Sequence, residues 1–361
     1  MIELQLPLEG IDPNVPDFVV RLAGSNYEQL SDFDAALVAQ DSALSIYRYG
    51  EHQFVIRQQS GEDMLGDVVL VSPSSKTVHR WIRAGSQHNT LLITERCDQL
   101  CIMCSQPPKK THVDQFEYFL QACSLAPANS TIGLSGGEPT LYKQQLFELL
   151  LAMQSHRPSL KFHVLTNGQH FEPSDTATLA QLRNVVWGIP LYASDRELHD
   201  KIVAKSGAFA RLMASFELLG ATGAAIELRT VLTKQNGGVL PNLARFVVGH
   251  LPFIDVWAIM QLEATGFARR AWRDLFFDSS VDFDPIKEAI LHVQTYGQDV
   301  ALYNFPLCTV PSSFRGYAAR SISDWKNRFS KTCDPCTLKN DCCGFFEWHP
   351  DDHTYQEIRA I

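Results

Sequence analysis

Three cysteines stand within eight residues at Cys97-Asp98-Gln99-Leu100-Cys101-Ile102-Met103-Cys104, a C-x3-C-x2-C spacing. Thiolates suit soft and borderline metals, and three of them on one loop can wrap one face of a compact cluster. A [4Fe–4S] cubane has four irons, so three cysteines leave one iron open for a substrate or cofactor to chelate. The alternative is a zinc knuckle completed by a distant fourth ligand, although an all-protein zinc site normally shows paired C-x2-C steps. Of the nine cysteines, none precedes Cys97, five more fall at Cys308, Cys333, Cys336, Cys342 and Cys343, and Cys123 stands alone. A secreted disulfide framework is usually a short chain with cysteines spread throughout, so this clustering predicts two metal-holding sites in a reducing compartment.

The elements that must position these groups follow from the hydrophobic pattern. Strand-like runs occur at 89–94, 130–135, 161–166, 184–191, 225–232 and 254–260, with helix-like stretches at 115–123, 143–156, 209–221, 240–250 and 283–297. Short apolar strands alternating with amphipathic helices predict an α/β fold with a parallel sheet and right-handed crossovers. Six βα units are too few for a closed eight-stranded barrel, which favours an open, partial (β/α)6 barrel with its ligands at the C-terminal strand ends. Residues 1–85 read as a small β-rich domain, with β-favouring runs at 43–50, 52–59, 67–71 and 77–82 and no evident chemistry. The expected organisation is that domain, a core over 86–299, and a cysteine-rich segment over 300–361 folded around a metal.

Composition removes several function classes. The 361 residues are 45% hydrophobic and 20% charged, an ordinary globular balance, and 40 acidic against 31 basic residues leave a net charge of −9. A polyanion binder needs a basic excess or stripe, so no nucleic-acid partner is expected. The opening MIELQLPLEG lacks a positive region followed by an apolar core, and no apolar run is long enough to cross a bilayer. The expectation is a cytoplasmic chain without a membrane partner.

The cysteine loop resembles that of the radical S-adenosylmethionine (SAM) superfamily, whose signature is C-x3-C-x2-C. The resemblance implies the partial barrel read above, with Cys97, Cys101 and Cys104 on the cluster and SAM chelating the open iron. It also places Met103 near adenine, where the family usually has an aromatic residue. Ser135-Gly136-Gly137-Glu138-Pro139 matches the GGEP motif at the second strand end, where glycines let main-chain groups approach the methionine amino group. Thr166-Asn167-Gly168 resembles the TNG turn, either as a ligand contact or as a plain strand-to-helix turn. Ser194 is positioned like the polar residue that hydrogen-bonds SAM, and Arg229 offers a planar fork for the SAM carboxylate. Either could equally be a surface or capping residue. Gln261 joins the cofactor-binding candidates, whereas Trp257 and Met260 read as core and Glu263 stays unassigned.

Cys333-x2-Cys336-x5-Cys342 resembles the central SPASM cysteine pattern, shortened toward the twitch form because Phe346 stands where the longer pattern continues with cysteine. This implies an auxiliary [4Fe–4S] cluster on Cys308, Cys333, Cys336 and Cys342, with Cys343 as a possible substitute for Cys342. A four-cysteine zinc staple is the alternative. Cys123 reads as a small buried residue.

The stretches at 88–109 and 66–83, with LTNGQHF, WAIMQLEATGFA and CDPCTLKNDCCGFF, resemble the His-Xaa-Ser system radical SAM maturase family over roughly residues 60–346. That resemblance implies reductive cleavage of SAM to a 5′-deoxyadenosyl radical, which takes a hydrogen from a ribosomally made partner protein with His-Xaa-Ser repeats. It implies a second radical SAM maturase and an external electron donor as partners. A radical SAM enzyme acting on a small molecule and a non-catalytic iron–sulfur partner of another maturase are the competing readings. No catalytic side chain is assigned.

Overall fold

The computed structural model describes residues 2–25, 30–58, 62–351 and 354–361. The chain divides into two compact units, the first of Met1–Ile93, Val113–Leu134 and Gln144–His163, the second of the remaining segments through Ile361.

In the first unit, seven strands close into a barrel: β1 (Gln5–Glu9), β2 (Phe18–Ala23), β3 (Asp34–Gln40), β4 (Leu44–Tyr49), β5 (His52–Arg57), β6 (Val68–Ser72) and β7 (Thr77–Ile82). The order is β1-β5-β4-β3-β2-β6-β7, closed by antiparallel pairing of Leu6 on β1 with Val78 on β7. Side chains alternate across each strand, so Leu6, Leu8, Phe54 and Ile56 point inward and pack with Tyr47 and Val71. Closure leaves no unpaired edge. The sequence pattern captures β4 to β7; β1 to β3 escape it, β1 because it carries Pro7 mid-strand, a residue that argues against a strand.

One cation is buried in this unit. The Arg80 side chain is 3% exposed and reaches Asp67, itself 4% exposed, at 2.7 Å and Glu62 at 2.8 Å. Asp67 also accepts the Ala84 main-chain N–H at 2.9 Å. Burial pushes the Asp67 carboxyl up, and the Arg80 charge opposes that shift.

The second sheet has seven strands in the order β14-β13-β12-β11-β10-β9-β8. They are β8 (Asn89–Thr94), β9 (Thr131–Gly136), β10 (Lys161–Leu165), β11 (Val185–Pro190), β12 (Ala225–Val231), β13 (Val256–Met260) and β14 (Asp299–Tyr303). From β11 to β14 each neighbour is parallel, with Val231, Met260 and Tyr303 in register. The sheet thus holds one strand more than the six read from sequence. β14 is only five residues long and buries just Val300 and Leu302, too little periodicity to stand out.

The helices are α1 (Phe116–Leu125), α2 (Lys143–His156), α3 (Thr176–Gln181), α4 (Arg196–Val203), α5 (Ala208–Thr222), α6 (Leu240–His250), α7 (Gly266–Arg270), α8 (Trp272–Leu275) and α9 (Asp284–Thr295). Asp195 caps α4 by accepting the Leu198 N–H at 2.8 Å, which starts that helix directly after Ser194. Cys123 is fully buried on α1. Past β14 the described residues form short 3-10 turns and a two-stranded ribbon, β15 (Asn327–Arg328) and β16 (Phe345–Phe346). Among the described residues no helix is long and apolar enough to cross a membrane.

Removing one partner of a buried ion pair leaves an uncompensated charge. Arg80→Ala is expected to lower the stability of the barrel unit by about 3–5 kcal/mol, read as an earlier chemical-denaturation midpoint.

Candidate functional site

The site candidates of the core lie in the second unit, at strand ends. β8 ends at Thr94 and the next residues form the cysteine loop. Its main chain is tied to the end of α4, where the Leu100 and Ile102 N–H groups donate to Val203 and Ile202 at 3.2 and 2.9 Å. The Phe267 N–H holds the Cys104 carbonyl at 2.8 Å. Met103 is buried among Tyr192, Ile202, Leu262 and Ala268, so its side chain anchors the loop in the core.

Asp98 provides the polar anchor. It pairs with Lys205, approaches His170 Nε2 at 3.2 Å and accepts from Asn167 Nδ2 at 2.8 Å. Burial alone would raise the Asp98 carboxyl, but hydrogen bonds from His170, Lys205 and Asn167 outweigh it and hold the group well below the usual carboxylate range. Asn167 Nδ2 also lies 3.9 Å from Cys97 Sγ.

All three thiols are partly sheltered. Burial pushes Cys97 up to about 11 and raises Cys101 further; Cys104 is raised for the same reason. The Cys104 charge adds to the shift at Cys97, and the Cys104 and Cys97 charges add to that at Cys101. Sheltered thiols whose charges oppose one another favour a bound cation, because binding releases their protons and cancels that repulsion. Among the described residues, no three His, Cys, Asp or Glu side chains are gathered to hold a single metal ion. A cubane takes each thiolate on a different iron, so its ligands need not meet at one point. The donor set fits such a group.

The Ser135–Pro139 segment does structural work beside this loop. A Cβ on Gly136 would sit 2.1 Å from the Thr94 carbonyl oxygen, and one on Gly137 would sit 2.1 Å from that of Arg96. The Gly137 and Glu138 N–H groups donate to those same two carbonyls, each at 2.7 Å. The immediate reason for glycine here is therefore close approach to the start of the cysteine loop. Glu138 is fully buried and accepts from Thr140 N at 2.9 Å, Thr166 Oγ1 at 2.6 Å and the Asn167 main-chain N–H. Burial raises its carboxyl, and these hydrogen bonds pull the other way. Thr166 and Asn167 thus join Glu138 to Asp98, and Gly168, at φ +68°, makes the turn that follows.

The remaining candidates sit differently. Ser194 is half-buried just ahead of the α4 cap. Arg229 on β12 pairs with Glu227, whose other oxygen accepts from the Tyr303 hydroxyl at 3.1 Å. Gln261 is buried and donates to Ser279 Oγ at 2.8 Å. Glu263 is paired with Lys326 at 3.5 Å. Sequence reasoning missed Tyr192, which is fully buried; burial and the Cys101 and Cys104 charges raise its phenol well above the ordinary value, and Arg229 opposes them. It also missed Gly266, where a Cβ would meet the Cys104 carbonyl oxygen at 2.3 Å. The available signal was a glycine opening a helix directly after a strand end.

The second cysteine group has its own geometry. Cys308, Cys333, Cys336 and Cys342 line one cavity. Cys342 Sγ accepts the Leu307 and Gly344 N–H groups at 3.3 and 3.4 Å. A hydrogen bond from Cys343, then these amides, bring the Cys342 thiol down to about 6. Cys343 is buried against Ile322 and Phe346 and is absent from the cavity wall. Burial and the Cys342 charge push Cys308 up to about 11.

Glu138→Ala would leave buried donors on Thr140, Thr166 and Asn167 without an acceptor, at a cost of about 2–4 kcal/mol. The expected outcome is an earlier unfolding midpoint together with reduced iron uptake. Gly137→Ala, which forces the loop away from Arg96, is expected to reduce iron uptake as well; full loading of both variants would contradict the coupling.

Residues 91–247 match the Radical SAM superfamily, a span that includes Cys97, Cys101, Cys104, the glycine segment, Ser194 and Arg229. Among solved structures, the chain resembles Streptococcus suis SuiB bound to S-adenosylmethionine at TM-score 0.50 and 18% identity, covering 61% of this chain and 51% of that one. A second SuiB structure matches at TM-score 0.50 and 18% identity, covering 61% and 50%. SuiB bound to precursor peptide SuiA matches at TM-score 0.48 and 17% identity, covering 61% and 49%. The match thus spans about half the length of each of these chains, and at such identity the likeness speaks to the fold alone. No curated protein matches this sequence. Residues 91–247 are thus similar to the Radical SAM superfamily domain, on an α/β fold shared with these solved structures.

Proposed function

We propose that this chain is a radical SAM peptide maturase built on a partial (β/α)6 barrel, with domains at 1–85, 86–299 and 300–361. The carrying observation is the Cys97–Cys104 loop, clamped by the close approach of Gly136 and Gly137 to Thr94 and Arg96 and by the Asn167–Asp98 bond, inside the span that matches the Radical SAM superfamily. Cys97, Cys101 and Cys104 would hold a [4Fe–4S] cluster with an iron left for SAM, and the bound pair would supply radical hydrogen-abstraction chemistry.

This chain's residues bind, orient and exclude water. Met103 fixes the loop from beneath. The Arg229 guanidinium, steadied by Glu227, has further N–H groups for the SAM carboxylate. Ser194 offers a hydroxyl beside the start of α4, and the amides of Gly136 to Glu138 and the Thr166–Asn167 turn shape the floor. Gln261 acts through Ser279, shaping the β13 strand end. Cys308, Cys333, Cys336 and Cys342 hold an auxiliary [4Fe–4S] cluster. The cavity they line and the amides aimed at Cys342 support this reading, with Cys343 as packing.

The substrate is a ribosomally made protein with His-Xaa-Ser repeats, modified in the cytoplasm with a second radical SAM maturase and an external electron donor. The support is the family resemblance of residues 60–346.

Anaerobic reconstitution is expected to load about eight irons, four per cubane, and Cys97→Ala/Cys101→Ala/Cys104→Ala about four. Strong reductant should then release 5′-deoxyadenosine from SAM only in the wild-type chain. A fully loaded protein that leaves SAM intact would sink the enzymatic reading. Co-expression with a His-Xaa-Ser repeat protein is expected to change that protein's mass or stereochemistry. Stimulation of 5′-deoxyadenosine formation by a metabolite, and not by the repeat protein, would favour a small-molecule substrate instead.

A further inference from the structure

The four-cysteine cavity has a wall that the cysteine spacing does not announce. Ile358, Arg359, Ala360 and Ile361 line it alongside Cys308, Cys333, Cys336 and Cys342. The segment leading there is pinned before it arrives. Tyr355 is buried, its ring 5.1 Å from that of Phe276 and 5.5 Å from that of His349. The Gln356 N–H donates to Asp278 Oδ2 at 2.9 Å and the Glu357 N–H to Ser280 Oγ at 3.1 Å. Ile358 packs on the same apolar cluster as Tyr355.

The far side is clasped too. The Ile361 carbonyl accepts both the Thr337 N–H at 2.7 Å and the Thr337 hydroxyl at 2.8 Å, and Thr337 directly follows Cys336. Between the two anchors, Arg359 and Ala360 line the cavity beside Cys308. Ordering a chain segment costs about 1–2 kcal/mol per residue in backbone entropy, so a tail without a role would not be expected to hold this many specific bonds. Here anchors before and after the cavity hold the intervening residues across it.

We propose that residues 354–361 form a strap that seals the four-cysteine site from solvent and from any substrate ligand. This rests on the reading of that cavity as an auxiliary cluster site. The four thiolates supply the coordination and the strap supplies the cover. The main-chain N–H groups of Leu307 and Gly344 donate to the Cys342 sulfur there. A site so enclosed suits a group that exchanges electrons and does not bind the peptide directly, because hydrogen bonds to the sulfurs and exclusion of water are what set such a group's properties.

The test compares the full chain, a chain ending at Glu357, and Thr337→Val, which keeps the length but removes the hydroxyl clasp. Each is loaded anaerobically, its iron counted, and iron extraction by bathophenanthroline followed in time beside bleaching on exposure to air. The shortened chain is expected to load about eight irons and to release about four of them roughly tenfold faster than the full chain. Thr337→Val should move in the same direction by a smaller factor, and neither change should alter release of the irons held by Cys97, Cys101 and Cys104. Unchanged extraction and bleaching in a fully loaded shortened chain would overturn the strap alone. Wild-type iron content in Cys308→Ala/Cys336→Ala would overturn the cluster reading, and the strap with it.

Discussion

A fully buried carboxylate with no cation beside it is costly, and Glu138 is one. Its oxygens are satisfied by hydroxyl and amide donors from Thr140, Thr166 and Asn167, so its position is fixed by residues of two strand ends at once. The consequence runs outward. Asn167, oriented by the hydrogen bond its main-chain N–H donates to Glu138, turns its side chain to Asp98, and Asp98 gathers Lys205 and His170 around the first cysteine. The glycines before Glu138 press on the carbonyls that open the cysteine loop. A loop of three thiols, whose own charges repel, is thereby held by contacts that do not depend on any bound group.

This arrangement changes the meaning of the glycine segment. From sequence, the two glycines read as room for a cofactor's amino group. Both Cβ positions are instead filled by carbonyl oxygens of Thr94 and Arg96, so alanine is excluded before any ligand is considered. The two purposes are compatible, since an amide held tightly on one side can present its other side to a ligand. The constraint from the chain's own backbone is the stricter one, however. Gly266 repeats the logic from the other end, against the Cys104 carbonyl.

What was legible in the sequence was what repeats or is chemically rare. Six strands at 89–94 through 254–260 announced themselves by apolar runs between turn residues, and the cysteine spacing singled out its loop. β14 is short, and β1 carries Pro7 at its centre, so local pattern had little to hold there. The Asp98–Lys205 and Glu227–Tyr303 contacts join residues 107 and 76 positions apart, and no periodicity encodes such a pairing. Gln261 shows the same gap from the other side. It stands just past a strand end, and its bond to Ser279 Oγ is a contact that no local pattern announces.

The two cysteine groups differ in how the protein treats charge on sulfur. At Cys97 and Cys101, burial and neighbouring negative charge oppose thiolate formation, which leaves the compensating positive charge to whatever binds. At Cys342, a neighbouring thiol and two amides already stabilise the thiolate before any ligand arrives. Cys97 and Cys101 thus gain from any cation that replaces their protons. Cys308 behaves like them, pushed up by burial and the Cys342 charge, so the second group sets one thiol already favoured as thiolate beside one that is not.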